Sequence, residues 1–176
     1  FLSPLTNKRT DEYGCSFVNR IRYLVEILQA IRERVGDRMI IEIRTSAKEF
    51  KEGGIDLAEG LRNAEVFQQY ADIVQASCGM VTPDLMCRTH PCDFLPPTHN
   101  VHLAEAVNKA GRITAFVTAI VGSGSLADAD EIIASGQADF VAMSRALIAD
   151  PELIPKSLAG RADDVVPCIK CMRCHD

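Results

Sequence analysis

Three cysteines, Cys168, Cys171 and Cys174, stand three residues apart near the end of the sequence. Thiolates at this spacing can hold one face of a metal ion or cluster. Three ligands fall short of four, and His175 adjoins Cys174 too closely for a comfortable fourth. The alternative is a reduced tail with no metal. Just upstream, residues 138–151 read as an apolar strand, a strand-end turn with Ser144 and Arg145, and a short helix. A second strand end carries Gly122, Ser123 and Gly124. Glycines let backbone approach a ligand closely, and a helix N-terminus offers unpaired N–H groups. Two adjacent strand ends suited to one anion predict a phosphate held by Gly122, Ser123, Ser144 and Arg145. Ser125 with Asp128 three residues on also matches a helix cap, so a plain capped turn is the competing reading.

Arg44 is a further candidate. Side chains alternate along a strand, so Ile41 and Ile43 face one side and Glu42 and Arg44 the other. An arginine pointing inward at a strand's C-terminal end suits an electron-rich ring or an anion. It could equally pair with Glu42. His90, His99 and His102, with Cys87 and Cys92, lie in or near a long irregular segment. Their spacing fits no metal pattern, so they read as substrate-facing or solvated residues. Cys15 and Cys78 read as small packing residues.

The elements that position these residues follow from apolar spacing. Residues 1–16 read as loop. Phe17, Ile21, Leu24, Val25, Leu28 and Ile31 recur at helical spacing up to Gly36. Strands are predicted over residues 39–44, 72–76, 113–121 and 140–143. Helices are predicted over 57–70, 101–110 and 125–135. The intervening segment 77–98 is long and rich in Pro, Cys and His, which suggests a functional lid. Strand and helix alternate four times, which predicts parallel strands with right-handed crossovers. The strands are mostly apolar on both sides, as helix-covered strands are. Four such units are half of a (β/α)8 barrel of about 250 residues. The fold class is therefore α/β, the C-terminal half of a TIM barrel, with both ends of the sequence looking cut. Residues 1–160 are assigned to the half barrel and 161–176 to a truncated cysteine-rich iron–sulfur segment. An open four-stranded sheet is the alternative.

Composition narrows the function classes. The chain has 176 residues, 47% of them apolar, and a net charge of -5. It presents no basic surface for nucleic acid. No apolar run approaches the roughly 20 residues that span a bilayer. Seven unevenly spread cysteines without a signal peptide suggest a reducing, cytoplasmic setting rather than a disulfide framework. Open sheet edges and an exposed inner face predict a homo-oligomer, or pairing with an N-terminal half barrel.

The run Phe1-Leu2-Ser3-Pro4-Leu5-Thr6-Asn7-Lys8-Arg9-Thr10-Asp11-Glu12-Tyr13-Gly14, then Ser16, Asn19 and Arg20, resembles the signature of the Old Yellow Enzyme family of NADH:flavin oxidoreductases. Arg44-Thr45-Ser46, Gln75-Ala76-Ser77-Cys78-Gly79 and residues 138–151 resemble later blocks of that family. Gly160-Arg161 and Pro167-Cys168-Ile169-Lys170-Cys171 resemble its iron–sulfur branch, which includes 2,4-dienoyl-CoA and 2-enoate reductases. The resemblance implies an FMN-binding barrel that takes hydride from NAD(P)H and reduces an activated C=C bond of a small molecule. It implies that Arg44 contacts the flavin ring, that Gly122, Ser123, Ser144 and Arg145 hold the FMN phosphate, and that Cys168, Cys171 and Cys174 ligate a [4Fe-4S] cluster. It assigns no catalytic residue here, because the family's proton-donor tyrosine precedes the Phe1-Leu2-Ser3-Pro4 block. The isolated chain is therefore expected to be inactive. Cys15 stands where glycine is usual, Val18 where glutamate is, and Ser144 where glycine is. The second and third cysteines are one residue closer than the family spaces them, and a fourth would lie beyond Asp176. The competing functions are a half-barrel binding or assembly module, or another phosphate-binding TIM-barrel oxidoreductase.

Overall fold

The computed structural model describes every residue except 81, 83, 93, 97, 123, 175 and 176, and leaves aside the side chain of Cys87. The elements run α1 (Phe17–Val35), β1 (Glu42–Lys48), α2 (Leu57–Phe67), β2 (Ile73–Cys78), α3 (Met86–Thr89), α4 (Val101–Asn108), β3 (Phe116–Val121), α5 (Leu126–Ala134), β4 (Phe140–Met143), α6 (Arg145–Ala149) and α7 (Leu153–Leu158). The four strands form one sheet, all parallel and in sequence order. That is the predicted βα repeat, an arc with half the strands of a (β/α)8 barrel.

The two faces of the sheet differ sharply. Val74, Ala76, Cys78, Val117, Ala119 and Val121 point outward into a core shared with Leu103, Ala104 and Val107 of α4 and Ile132 of α5. The alternate positions carry Glu42, Arg44, Gln75, Ser77, Phe116, Thr118 and Phe140. Helices therefore cover one face only, and the expectation of strands apolar on both sides does not hold. Polar groups on the inner face bond across strands instead. The Thr118 hydroxyl donates to Glu42 Oε1 at 2.9 Å, and Gln75 Nε2 approaches the same oxygen at 3.4 Å.

Local chemistry sets the element ends. Ser16 Oγ accepts the Asn19 N–H and starts α1, and Gly36 at φ 56° ends it. Asp56 caps α2 through the Glu59 N–H at 2.8 Å. The first strand begins at Glu42 rather than at residue 39. Met39 and Ile40 are exposed, and pairing starts with Glu42 opposite Ile73. Asp72 then fixes the junction, accepting the Ile41 N–H at 2.8 Å and Arg32 Nη2 at 2.7 Å. Ile41 joins Ile21, Leu28, Phe67 and Ala71 in a second core beneath α1. Cys15 is exposed at φ 63°, so it is not a packing residue; the left-handed backbone is the reason glycine suits that position. Among the described residues no helix is long and apolar enough to cross a membrane.

Helix α2 lies so close to β1 that a methyl group at Gly60 would overlap the Ala47 carbonyl. Gly60→Ala is expected to cost about 1–3 kcal/mol through overpacking, read as a lower urea midpoint at unchanged slope. The Ile41 N–H and the Arg32 guanidinium hold the Asp72 carboxyl below its ordinary value. A depressed carboxyl contributes stability above its unfolded value, about 4, and loses it as pH falls through the folded one. The urea-midpoint gap between the wild type and Asp72→Asn should therefore be wide at pH 7 and narrow at pH 3.

Candidate functional site

Gly122, Ser144 and Arg145 share one rim, the C-terminal ends of the strands, whereas Arg44, expected at the end of its strand, lies within β1 at the level of Gln75, Thr118 and Phe140 because β1 runs on to Lys48. In the β3–β4 register Val121 lies opposite Met143, so Gly122 and Ser144 leave the sheet side by side. Arg145 follows at once and turns its side chain back across β3. A Cβ at Gly122 would sit 2.8 Å from Arg145 Nη2 and 3.3 Å from the Pro91 Cβ. Only glycine leaves that space. The Arg145 residue is 8% exposed, and Nη1 donates to the Pro91 carbonyl at 2.9 Å. Among the described residues no carboxylate pairs with it. A buried charge with one carbonyl partner is under-compensated and favours an anion. Ser144 is exposed at φ -97°, so its departure from the usual glycine costs no backbone strain. Ser123 lies outside the described residues.

The glycine turn carries the helix cap that its competing reading predicts. Ser125 Oγ accepts the Asp128 N–H at 3.2 Å, and the Asp128 carboxylate accepts the Ser125 N–H at 2.6 Å. This capping box satisfies the start of α5 by itself. Beyond this cap, Gly122 and Arg145 lie against each other at the rim, with Ser144 beside them.

Arg44 stands on the inner face of β1. It does not pair with Glu42, whose carboxylate is taken by Thr118 and Gln75. Its one described contact is Nη2 to Ser77 Oγ at 3.4 Å. The guanidinium is exposed to the space the barrel would enclose, which suits a planar, electron-rich partner.

The segment after β2 folds over this rim. Thr89 Oγ1 donates to the Met80 and Leu85 carbonyls at 3.1 and 3.2 Å, and Asn100 Nδ2 reaches the Arg88 carbonyl at 2.8 Å. Pro91 then meets Arg145, so the segment bridges from β2 to β4. Cys78 is buried beneath it, and loss of solvation pushes its thiol up to about 11 although Arg88 and Arg44 oppose the shift. His99 Nε2 lies 3.2 Å from Arg88 Nη1, and His102 Nδ1 lies 2.9 Å from the His99 carbonyl. Burial first, then the Arg88 charge, lowers the His99 pKa. The neutral ring then accepts from Arg88. This arginine–histidine contact had no sequence signal, because the partners are joined only by the fold of the segment.

The cysteine tail returns towards the same rim. Met172 Sδ lies 3.6 Å from Arg145 Nη1. Asp150 anchors the approach, accepting Lys156 Nζ at 2.7 Å and the Val166 N–H at 2.8 Å. Cys168 lines an apolar groove of about 800 Å³ with Leu153, Leu158 and Val166. Its sulfur accepts the Lys170 N–H at 3.4 Å. Cys171 and Cys174 are exposed. Among the described residues no three Cys, His, Asp or Glu side chains converge on one point.

The matches with known proteins agree with this geometry. The family model described as NADH:flavin oxidoreductase / NADH oxidase matches residues 1–164. NADH oxidase of Thermoanaerobacter brockii is 38% identical over 174 residues, covering 97% of this chain and 26% of that protein. The multifunctional alkene reductase/demethylase OYE of Caballeronia cordobensis is 31% identical over 180 residues, covering all of this chain and 26% of its own length. The structure of a 2-naphthoyl-CoA reductase in complex with 2-naphthoyl-CoA superposes with a TM-score of 0.83 at 33% identity, covering 98% of this chain and 26% of that one. The chain thus spans about a quarter of the length of these relatives. With its parallel βα arc, inward Arg44 and paired strand ends, it belongs to the NADH:flavin oxidoreductase / NADH oxidase family.

Proposed function

We propose that this chain contributes the phosphate-holding half of an FMN barrel to an NAD(P)H-dependent reductase acting on an activated C=C bond. The observation that carries it is Arg145, buried against Gly122 with no described carboxylate partner. A phosphate between the two strand ends would supply the missing negative charge. Arg145 would pair with it, and the Gly122 and Ser144 backbones would approach it, with Ser123 assigned to the same task by resemblance. Arg44 would lie along the polar edge of the flavin and hold negative charge there. FMN, once bound, would supply the hydride-transfer chemistry between NAD(P)H and the substrate. The polar set of Glu42, Gln75 and Thr118 keeps the inner face fixed below it.

The C=C assignment draws on the relatives named as alkene reductase and as 2-naphthoyl-CoA reductase. The word demethylase in one of those names supports a second reading, oxidation at an N-methyl group. We assign residues 1–160 to the half barrel and 161–176 to the cysteine segment. By resemblance, Cys168, Cys171 and Cys174 would supply three ligands of a [4Fe-4S] cluster. Seven unevenly spread cysteines in the sequence support a reducing, cytoplasmic setting. Phe116 and Phe140, 56% and 46% exposed with rings 5.8 Å apart on the inner face, favour closure by a further half barrel or by a second copy.

Arg145→Met should weaken FMN binding by about 10- to 100-fold, the scale of a charged hydrogen bond. Gly122→Ala should do the same by pushing the guanidinium aside. Fluorescence titration of the full-length protein with FMN checks both; unchanged affinity in both would remove the phosphate assignment. Turnover of the FMN-loaded full-length protein with NADH or NADPH on 2-cyclohexenone, against FMN reduction by sarcosine, separates the two substrate readings.

A further inference from the structure

A second cationic group on the rim has no task in the flavin reading. Between Ser46 and Lys48 the pairing of β1 with β2 slips by one residue, so Lys48 lies opposite Cys78. Such an irregularity re-aims the side chains that follow it. Lys48 Nζ comes to 5.1 Å from the centre of the Phe50 ring. From the segment after β2, Arg88 Cζ comes to 4.6 Å from the same ring. Phe50 itself holds φ at 58°, a left-handed conformation that a bulky residue rarely adopts. Its ring packs against the outer core and also meets both cations.

Nearby carboxylates do not neutralise them. Glu49 Oε2 is turned away, accepting the Ser3 hydroxyl and the Ile55 N–H, both at 2.8 Å. Asp84 pairs with Lys51 at 3.0 Å. Among the described residues neither Lys48 nor Arg88 has an ion-pair partner; besides the Phe50 ring, Arg88 meets the imidazole of His99 at 3.2 Å. Two like charges held on one ring repel, and an anion bound close to both would relieve the repulsion. Lys48 ends β1, the strand that carries Arg44 four residues earlier, and pairs with Cys78, beneath the segment that carries Arg88.

We propose that Lys48 and Arg88, set on Phe50, form an oxyanion-binding subsite at the mouth of the barrel. It takes the carboxylate or phosphate of the small molecule that reacts there. The shared chemistry is an anionic oxygen group, from an acidic substrate or from the phosphates of the nicotinamide nucleotide. The location beside the reacting centre rests on the flavin reading above.

The test is calorimetric titration of the full-length protein, with and without FMN, using three probes: trans-cinnamate, neutral cinnamamide, and adenosine 2′,5′-bisphosphate. One of the anions should bind at least ten-fold more tightly than cinnamamide. Lys48→Met and Arg88→Met should each remove most of that preference while FMN content, read from visible absorbance, stays unchanged. Phe50→Leu should weaken it without removing either charge, which separates placement from charge alone. Loss confined to cinnamate identifies an acidic substrate, and loss confined to the bisphosphate identifies the nucleotide. Equal binding of all three probes, or an anion preference that survives both methionine variants in folded protein, overturns the subsite. Failure to take up FMN while the anion preference persists overturns the flavin reading and leaves the subsite standing.

Discussion

The outward burial of one sheet face governs the rest of this structure. Val74, Ala76, Val117, Ala119 and Val121 must leave water, and α4, α5 and α2 supply the cover. Because side chains alternate, the residues between them are forced to the other face. Glu42, Arg44, Gln75 and Thr118 therefore meet on the inner side without helices over them. The parallel order sends all four C-terminal ends to one rim, so every chemically able group at a strand end shares that rim.

Charge on the rim is unevenly matched. In a chain of net charge -5, Arg44, Lys48, Arg88 and Arg145 find no described carboxylate there. Elsewhere the same chain pairs its arginines readily, as Arg20 does with Glu59 at 2.6 Å and Arg32 with Asp72 at 2.7 Å. The contrast is positional rather than compositional. Acidic residues are present beside the rim but are engaged in holding loops, Glu49 by backbone and hydroxyl donors and Asp84 by Lys51. The rim is left positive, which is what ligands bearing phosphate or carboxylate require.

Backbone strain follows a related distribution. Among the described non-glycine residues, positive φ occurs at Cys15, Phe50, Lys170 and Met172. Phe50 carries the aromatic ring that two rim cations contact, and Met172 touches Arg145. Lys170 donates its N–H to the Cys168 sulfur. Three of the four thus serve contacts at or beside the rim. The fourth, Cys15, occupies a turn that glycine would adopt without strain.

Much of this was legible beforehand. Apolar spacing located the four strands and the main helices, because core burial imposes its period on any sequence that folds this way. Residue order alone implied parallel crossovers, and glycine beside arginine at the last two strand ends implied an anion. Element ends were less legible: β1 starts at Glu42 because Asp72, thirty-odd residues away in sequence, caps the Ile41 N–H. The choice between an Arg44–Glu42 pair and an open Arg44 was likewise undecidable in one dimension, since Thr118 from β3 claims the carboxylate. The cysteine spacing suggested a shared ligand, but where the thiols sit depends on Asp150, Lys156 and the path of the tail. The sequence by itself determined the period, the order and the inventory of charged groups. Only the tertiary structure decided which charges remained unpartnered, because that depends on contacts between residues far apart along the chain.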